Sequence, residues 1–511
     1  PPSIGKFGGD TDNWMWPRHT GDFTVFRIYT APDRSPAKYS KDKVPFHPKH
    51  FLPISLKGYQ PGDYTMIWGY PGTTNRFMTS YEVQNEIAIN APAIYEPLDE
   101  ILPVMHDAME ASQKVHLQYA DKHAGLANYW KNQHGEVESL KALKVVETKQ
   151  KQEEALTKWI NADKNRKEKY GNCLSEIEKI CKNADGAKFK SVMNGNLQFS
   201  ASPTLLAALR MRNLLPLKKG EKKYDSEKVE KLLKAFDNYN NDTDPATEAK
   251  IILAAMKTWN KHSEANRPDM TFFTKNFKGS YAAFEKALQN SIFISKDNFE
   301  KFVNAPSNKI LEKDAAYLYA QAVIQYLMLN SSAFQTEEQL EVPRRTFIAA
   351  LKEMNANTPM YPDANSTMRT TFGTVCDYYP ADGVHYNYFT TTKGILEKEK
   401  PGDFEFDVPA KLKQLIVNRD FGQYADKDGE LHVCFLSNND ITGGNSGSPI
   451  MNADGELIGL AFDGNWEALS SDIVFNTALQ RCINVDSRYV LFVIDKFGGA
   501  GYLLNEMDIR K

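Results

Sequence analysis

Cysteine is scarce in this 511-residue chain: there are five, Cys173, Cys181, Cys376, Cys434 and Cys482. They are scattered and form no C-x-x-C pair, which excludes a disulfide framework and makes a zinc ribbon or a redox motif improbable. Long apolar runs are absent as well. Stretches such as Tyr489-Val-Leu-Phe-Val-Ile494 fall far short of the roughly 20 residues a membrane helix needs. Charge of one sign is not in excess, with 62 Lys and Arg against 65 Asp and Glu, so no basic surplus points to nucleic acid. Three motifs are missing: H-E-x-x-H, G-x-x-x-x-G-K-[ST] and G-x-G-x-x-G. Zincins, P-loop enzymes and dinucleotide-binding dehydrogenases lose their main sequence support. No cofactor and no metal are expected.

What is present is a globular composition, 41% hydrophobic and 25% charged, long enough for about three domains. The texture changes twice. Residues 1–78 are rich in turns and aromatics; Asp22-Phe-Thr-Val-Phe-Arg-Ile-Tyr29 and Asp63-Tyr-Thr-Met-Ile-Trp-Gly69 read as strands. Residues 79–365 read as helical. No proline occurs between Pro103 and Pro203, Val137, Leu140, Leu143 and Val146 recur at helical spacing, and Glu147–Glu154 reads as a solvated helix face. A loop is expected at 240–245. Residues 366–511 return to strands, with Asn452-Ala-Asp-Gly455 as a hairpin turn. The order β, α, β predicts an α+β architecture, a β domain interrupted by a helical insertion.

The strongest local chemistry is Thr442-Gly-Gly-Asn-Ser-Gly-Ser-Pro449. A serine nucleophile needs a tight turn that presents its oxygen, with backbone N–H groups aimed at the developing oxyanion. Gly443, Gly444 and Gly447 around Ser446 permit such a turn. A plain glycine-rich turn with a capping serine is the competing reading. In an α/β-hydrolase the elbow leads into a helix, whereas here a hairpin follows. That favours a double-barrel peptidase, in which Gly444 and Ser446 supply the oxyanion N–H groups. The second signal is Gly8–Phe23, a loop dense in Trp, Asp, Arg and His. Asp22 can orient a histidine, or simply cap a turn. Ten histidines are present, and His19, three residues from Asp22, could pair with it locally.

Together, Asp12-Asn-Trp-Met-Trp-Pro-Arg-His-Thr-Gly-Asp22 and Gly443-Gly-Asn-Ser-Gly-Ser-Pro449 resemble the bacterial dipeptidyl-peptidase 7 and 11 family of serine exopeptidases. So do Tyr361–Asn365, Gly422–Asp428 and Val490–Gly501. The resemblance implies a chymotrypsin-like double β-barrel with a large inserted helical domain. Residues 1–78 would then end the first barrel, 79–365 form the insertion and 366–511 carry the second barrel. It further implies Ser446 as nucleophile and Asp22 as the triad carboxylate. The family's base histidine lies in a T-N-x-H-C type segment that these residues do not contain, so the chain is expected to be the C-terminal part of a member and to be crippled on its own.

The resemblance assigns the substrate's free amine to Asn13, Trp14, Asp463 and an asparagine of the helical domain, Asn128, with Asn132 as alternative. It also makes position 464 a specificity determinant: Arg there accompanies acidic residues before the scissile bond, Gly hydrophobic or aromatic ones. Gly464 therefore implies a hydrophobic or aromatic preference. The implied partners are oligopeptides with free N-termini and a second copy of the chain, in the bacterial periplasm or at the cell surface. The competing readings are an acid-specific dipeptidyl peptidase and, from another class, a non-catalytic module that holds peptide N-termini.

Overall fold

The computed structural model describes residues 3–211, 224–240, 243–262 and 270–511; of the loop expected at 240–245, residues 241 and 242 lie outside them. The chain forms two compact units, one of Pro1–Phe77 with Tyr361–Lys511 and one of Met78–Met360. The described strands all lie in the first unit, which also carries short helices such as Ala410–Val417 and Ser487–Phe492.

The second unit is helical, and its two longest described helices next to one another are Pro92–Ala111 and Gln113–Ala142. The apolar periodicity through Val137 and Val146 spans two helices rather than one: Lys144 takes a left-handed φ of 50° and starts a new helix, Val145–Asn161. The first turn of the unit carries a capping box, in which Thr79 accepts from the Glu82 N–H and the Glu82 carboxylate accepts from the Thr79 N–H. Trp259, Phe284, Phe293, Phe299 and Tyr319 are fully buried in its core. Each removes enough apolar surface from water to contribute about 1.5–3 kcal/mol.

The first unit is built on one nine-stranded sheet. Its strands are β1 (Ile54–Ser55), β2 (Tyr64–Gly69), β3 (Arg369–Thr374), β4 (Phe389–Thr391), β5 (His432–Ser437), β6 (Ser448–Met451), β7 (Leu457–Gly464), β8 (Cys482–Asp486) and β9 (Ile509–Arg510). The hydrogen-bonded path runs β3-β2-β6-β7-β8-β5-β4, with β1 parallel to both β7 and β9. The β6–β7 hairpin turns at Gly455, whose φ of 74° suits a residue without Cβ. Fully buried side chains such as Ile450, Phe435, Ile483 and Val485 fill the space against the sheet.

Of two expectations, one is met only in its coarser form, helices with an antiparallel sheet, and one needs correction. Strands on either side of the helical unit were assigned to separate barrels, but β2 sits between β3 and β6 in a single sheet. That path is open, and no closed barrel is found among the described residues. The segment Asp22–Tyr29 was read as a strand. In the structure Tyr29–Thr30 alone enters a ladder, with Val44–Pro45, and Phe26 and Ile28 stand 87% and 64% exposed. Alternation of residue types prepares a chain for pairing, but the ladder also needs a partner strand; among the described residues the pairing with 44–46 begins only at Ile28, whose carbonyl accepts from the Phe46 N–H at 2.9 Å.

Candidate active site

The Ser446 turn is held from three sides. The Asn445 N–H donates to Thr442 O at 3.0 Å, the Ser448 N–H to Asn445 O at 2.9 Å and the Gly447 N–H to Ala461 O at 2.7 Å. The buried Asn445 side chain accepts from the Thr442 N–H. Gly444 and Gly447 take φ of 106° and 83°. A Cβ on Gly444 would lie 2.3 Å from Tyr70 O. Ser446 is exposed, and its Oγ makes one long contact, 3.5 Å to Phe462 O. Among the described residues, the N–H groups of Gly444 and Ser446 donate to no acceptor. A reachable hydroxyl beside two unspent N–H donors is the arrangement acyl transfer requires.

The facing segment Tyr70–Arg76 is anchored too. Gly72 N–H donates to Gly443 O at 2.7 Å, the Arg76 guanidinium grips Asp440 with both nitrogens at 2.9 and 2.7 Å, and the Asp363 carboxylate accepts from Thr74 Oγ1 and the Arg76 N–H. This gives a sharp contrast. Gly444→Ala forces a side chain into a φ that disfavours one and onto a carbonyl, so it should lose roughly 1–3 kcal/mol or more of stability. Gly443→Ala meets nothing within 4 Å and should be nearly neutral. Denaturant unfolding of the two variants checks this; equal losses would mean the turn is not set at Gly444.

The 8–20 loop brings a second set of groups to the same sheet. Glu405 clamps its start, accepting from the Asp10 N–H and from Thr11 Oγ1 at 2.6 Å each, and Lys398 donates to the buried Asp12 carboxylate at 2.7 Å. These anchors hold Trp14 at a left-handed φ of 63°, a conformation costing on the order of 1–3 kcal/mol for a non-glycine residue. So placed, the Trp14 N–H donates to Asp463 Oδ2 at 3.1 Å. Asp463 sits just past a register shift in β7, between Ala461 and Asp463. Bulges of this kind re-aim side chains beside functional sites. Its Oδ1 accepts from the Gly464 N–H at 2.9 Å. A Cβ on Gly464 would meet Ala468 Cβ at 3.2 Å and Trp14 Cζ3 at 3.4 Å, so the space at 464 is closely walled rather than open.

Asp22 is exposed and hydrogen-bonded to no described residue. Desolvation by the surrounding chain raises its carboxyl above the ordinary range, with Arg18 opposing, Asp463 adding and Lys6 opposing. His19 does not pair with it. The ring is buried against Gly394, and burial, aided by Lys398, pulls the imidazole down to about 3. No described histidine hydrogen-bonds to Ser446. Among the described residues no cluster of His, Cys, Asp and Glu could hold a metal.

A family model described as peptidase S46 matches residues 1–509. The chain belongs to the peptidase S46 family. It is 43% identical to dipeptidyl-peptidase 7 of Phocaeicola vulgatus, across 100% of this chain and 71% of that one. It is 40% identical to an Asp/Glu-specific dipeptidyl-peptidase of Capnocytophaga gingivalis, across 100% and 72%. Among solved structures, DPP11 of Porphyromonas endodontalis in complex with the dipeptide Arg-Glu superposes with a TM-score of 0.87 at 32% identity, covering 100% of this chain and 74% of that chain; its complex with Arg-Asp gives 0.89. As an S46 member with such relatives along its whole length, the chain is a serine-type dipeptidyl peptidase.

Of the residues singled out in the sequence, the structure gathers Ser446, Gly444, Trp14, Asp463 and Gly464 around β6 and β7, tied by the contacts above. Asn13 lies on the same loop as Trp14. Asn128 and Asn132 lie on the Gln113–Ala142 helix of the other unit; Asn128 is exposed, and Asn132 Oδ1 accepts from Gln133 Nε2. Sequence reasoning missed the anchors: Glu405, Lys398, Asp440 and Arg18. Asp363, inside the family string Tyr361–Asn365, was visible but had no role.

Proposed function

We propose that this S46 peptidase releases dipeptides from free peptide N-termini. Ser446 acts as nucleophile, the Gly444 and Ser446 N–H groups receive the oxyanion, and Asp22 orients the histidine that serves as base. Asp463, with Asn13 and Trp14, receives the α-ammonium. Ser446 Oγ bonds to the scissile carbonyl carbon as its proton passes to the histidine. The tetrahedral intermediate expels the amine, which takes that proton, and water then hydrolyses the acyl-enzyme. The observation that carries the reading is the exposed Ser446 hydroxyl beside two unspent N–H donors. The bacterial relatives are consistent with action in the periplasm or at the cell surface, and we extend the proposal to a homodimer there. No described helix is long and apolar enough to cross a membrane.

Two preferences compete for the residue before the cut. The comparisons favour the acidic alternative over the hydrophobic preference expected from Gly464. The similar solved structures hold Arg-Glu and Arg-Asp, and Asp/Glu-specific relatives match this chain as completely as the others do. Position 464 supports the hydrophobic reading. It lacks a cation, and the backbone of its neighbour Arg481 is close while that guanidinium is spent on the carbonyls of Asp377, Thr477, Ala478 and Gln480. A buried carboxylate without a cation loses its hydration uncompensated. Matched Phe- and Glu-ending dipeptide substrates test the two. On the acidic reading Glu wins by kcat/KM; on the other Phe wins, and Gly464→Arg moves the balance toward Glu once Ala468 and Trp14 yield a few tenths of an ångström. Equal loss on both substrates in Gly464→Arg would remove position 464 from the argument.

A further inference from the structure

The amine site contains a cation of its own. Arg18 is 6% exposed, and its Nη1 lies 2.6 Å from Asp463 Oδ2. The same nitrogen donates to Asp12 O at 2.8 Å, Nε donates to Thr20 Oγ1 at 2.7 Å, and the guanidinium lies over the Phe462 ring, 5.1 Å from its centroid. Thr20 is in turn fixed by donating to Phe7 O at 2.7 Å. Arg18 is therefore held through Nη1, Nε and one face of its guanidinium, and Asp463 is held with it.

An ionised carboxylate offers about four lone-pair sites. For Asp463, Oδ2 is filled by Arg18 Nη1 and the Trp14 N–H, and Oδ1 accepts from the Gly464 N–H. The remaining direction is on Oδ1. Without Arg18 this buried carboxylate would lose its charged partner and one of the contacts that set its rotation, and a rotated Asp463 could not present Oδ1 to a substrate ammonium.

We infer that Arg18 is the positioning residue of the amine site: it holds Asp463 turned so that one Oδ1 lone pair faces the incoming α-ammonium. With Arg18 the site has no net charge of its own. Discrimination for a free N-terminus then rests on a directed acceptor rather than on bulk attraction. This deepens the proposed function and rests on its assignment of Asp463.

Binding rather than turnover tests it. Calorimetry would compare the dipeptides Leu-Phe and Leu-Glu with their des-amino counterparts, in which hydrogen replaces the amine. The ratio of the two dissociation constants measures amine recognition, and a general loss of structure would weaken both ligands alike. Arg18→Met should collapse the ratio at least tenfold, and Arg18→Lys should restore most of it. Thr20→Val, which frees Arg18 Nε, should lower it several-fold and carries the test if Arg18→Met does not fold. Asp463→Asn is the reference. A ratio retained in Asp463→Asn would defeat the amine-site reading itself. A ratio lost in Asp463→Asn but unchanged or increased in Arg18→Met, or in Thr20→Val where that variant carries the test, would overturn the role of Arg18 alone.

Discussion

Ser446→Ala is expected to abolish hydrolysis of dipeptidyl substrates in the active enzyme while leaving the fold unchanged. Loss of a serine nucleophile in a triad enzyme costs on the order of a million-fold in kcat, and what remains comes from oxyanion stabilisation and binding. Folding should not suffer, because Ser446 is exposed and its Oγ has one 3.5 Å contact, to Phe462 O. The turn is shaped by Asn445, Gly444 and Gly447, all kept in the variant. Hydrolysis assays paired with thermal unfolding make the measurement. Turnover within a hundredfold of the parent, or a serine-directed phosphonate that labels another serine, would refute the assignment.

Acetylating the substrate's N-terminus is expected to stop cleavage, and Asp463→Asn should erase most of the difference between free and acetylated peptides. Truncating one partner of a buried, hydrogen-bonded charge pair costs about 2–5 kcal/mol, equivalent to roughly tens- to thousands-fold in kcat/KM. The variant also leaves Arg18 facing a neutral amide, so some stability is lost too. For that reason the readout is the free-to-acetylated ratio and not the absolute rate. Equal rates on the two peptides with the parent enzyme would indicate an endopeptidase and dismiss Asp463 as the amine receiver.

How far the sequence carried the argument depends on how local each signal is. The Ser446 turn was readable because its requirements sit within eight residues: glycines where φ is positive, and a hairpin immediately after. The tight Asn452–Gly455 turn was readable for the same reason. The Asp22–Tyr29 segment misled because alternation reports which residues could share a face, not whether a strand lies alongside. Barrel closure was not legible either: whether strands close is decided by pairings such as β2 with β3 and β6, between residues hundreds of positions apart. Arg18 was in plain view within the Trp-Pro-Arg-His string, yet its partner Asp463 is 445 residues away. A buried ion pair leaves no periodicity or spacing behind. The wall that Trp14 forms at position 464 was hidden for the same reason, since it comes from the far end of the sequence.

The interleaving of β2 between β3 and β6 also has a bearing on biosynthesis. When Tyr64–Gly69 leaves the ribosome, neither of its neighbours has been made; β3 follows only after residues 78–360, and β6 later still. At about 5–20 residues per second, β2 waits on the order of tens of seconds with both hydrogen-bonding edges bare and Tyr64 and Trp68 on view. The helical unit has local contacts enough to fold in that interval, whereas the sheet must close a long loop. That closure is cheap in free energy, since each doubling of loop length costs only about 0.6 kcal/mol, but slow in time. Translation thus delivers the Ser446 turn, placed between β5 and β6, among the last parts of the sheet, so the nascent chain carries no assembled nucleophile until β6 and β7 have followed the whole helical unit out of the ribosome.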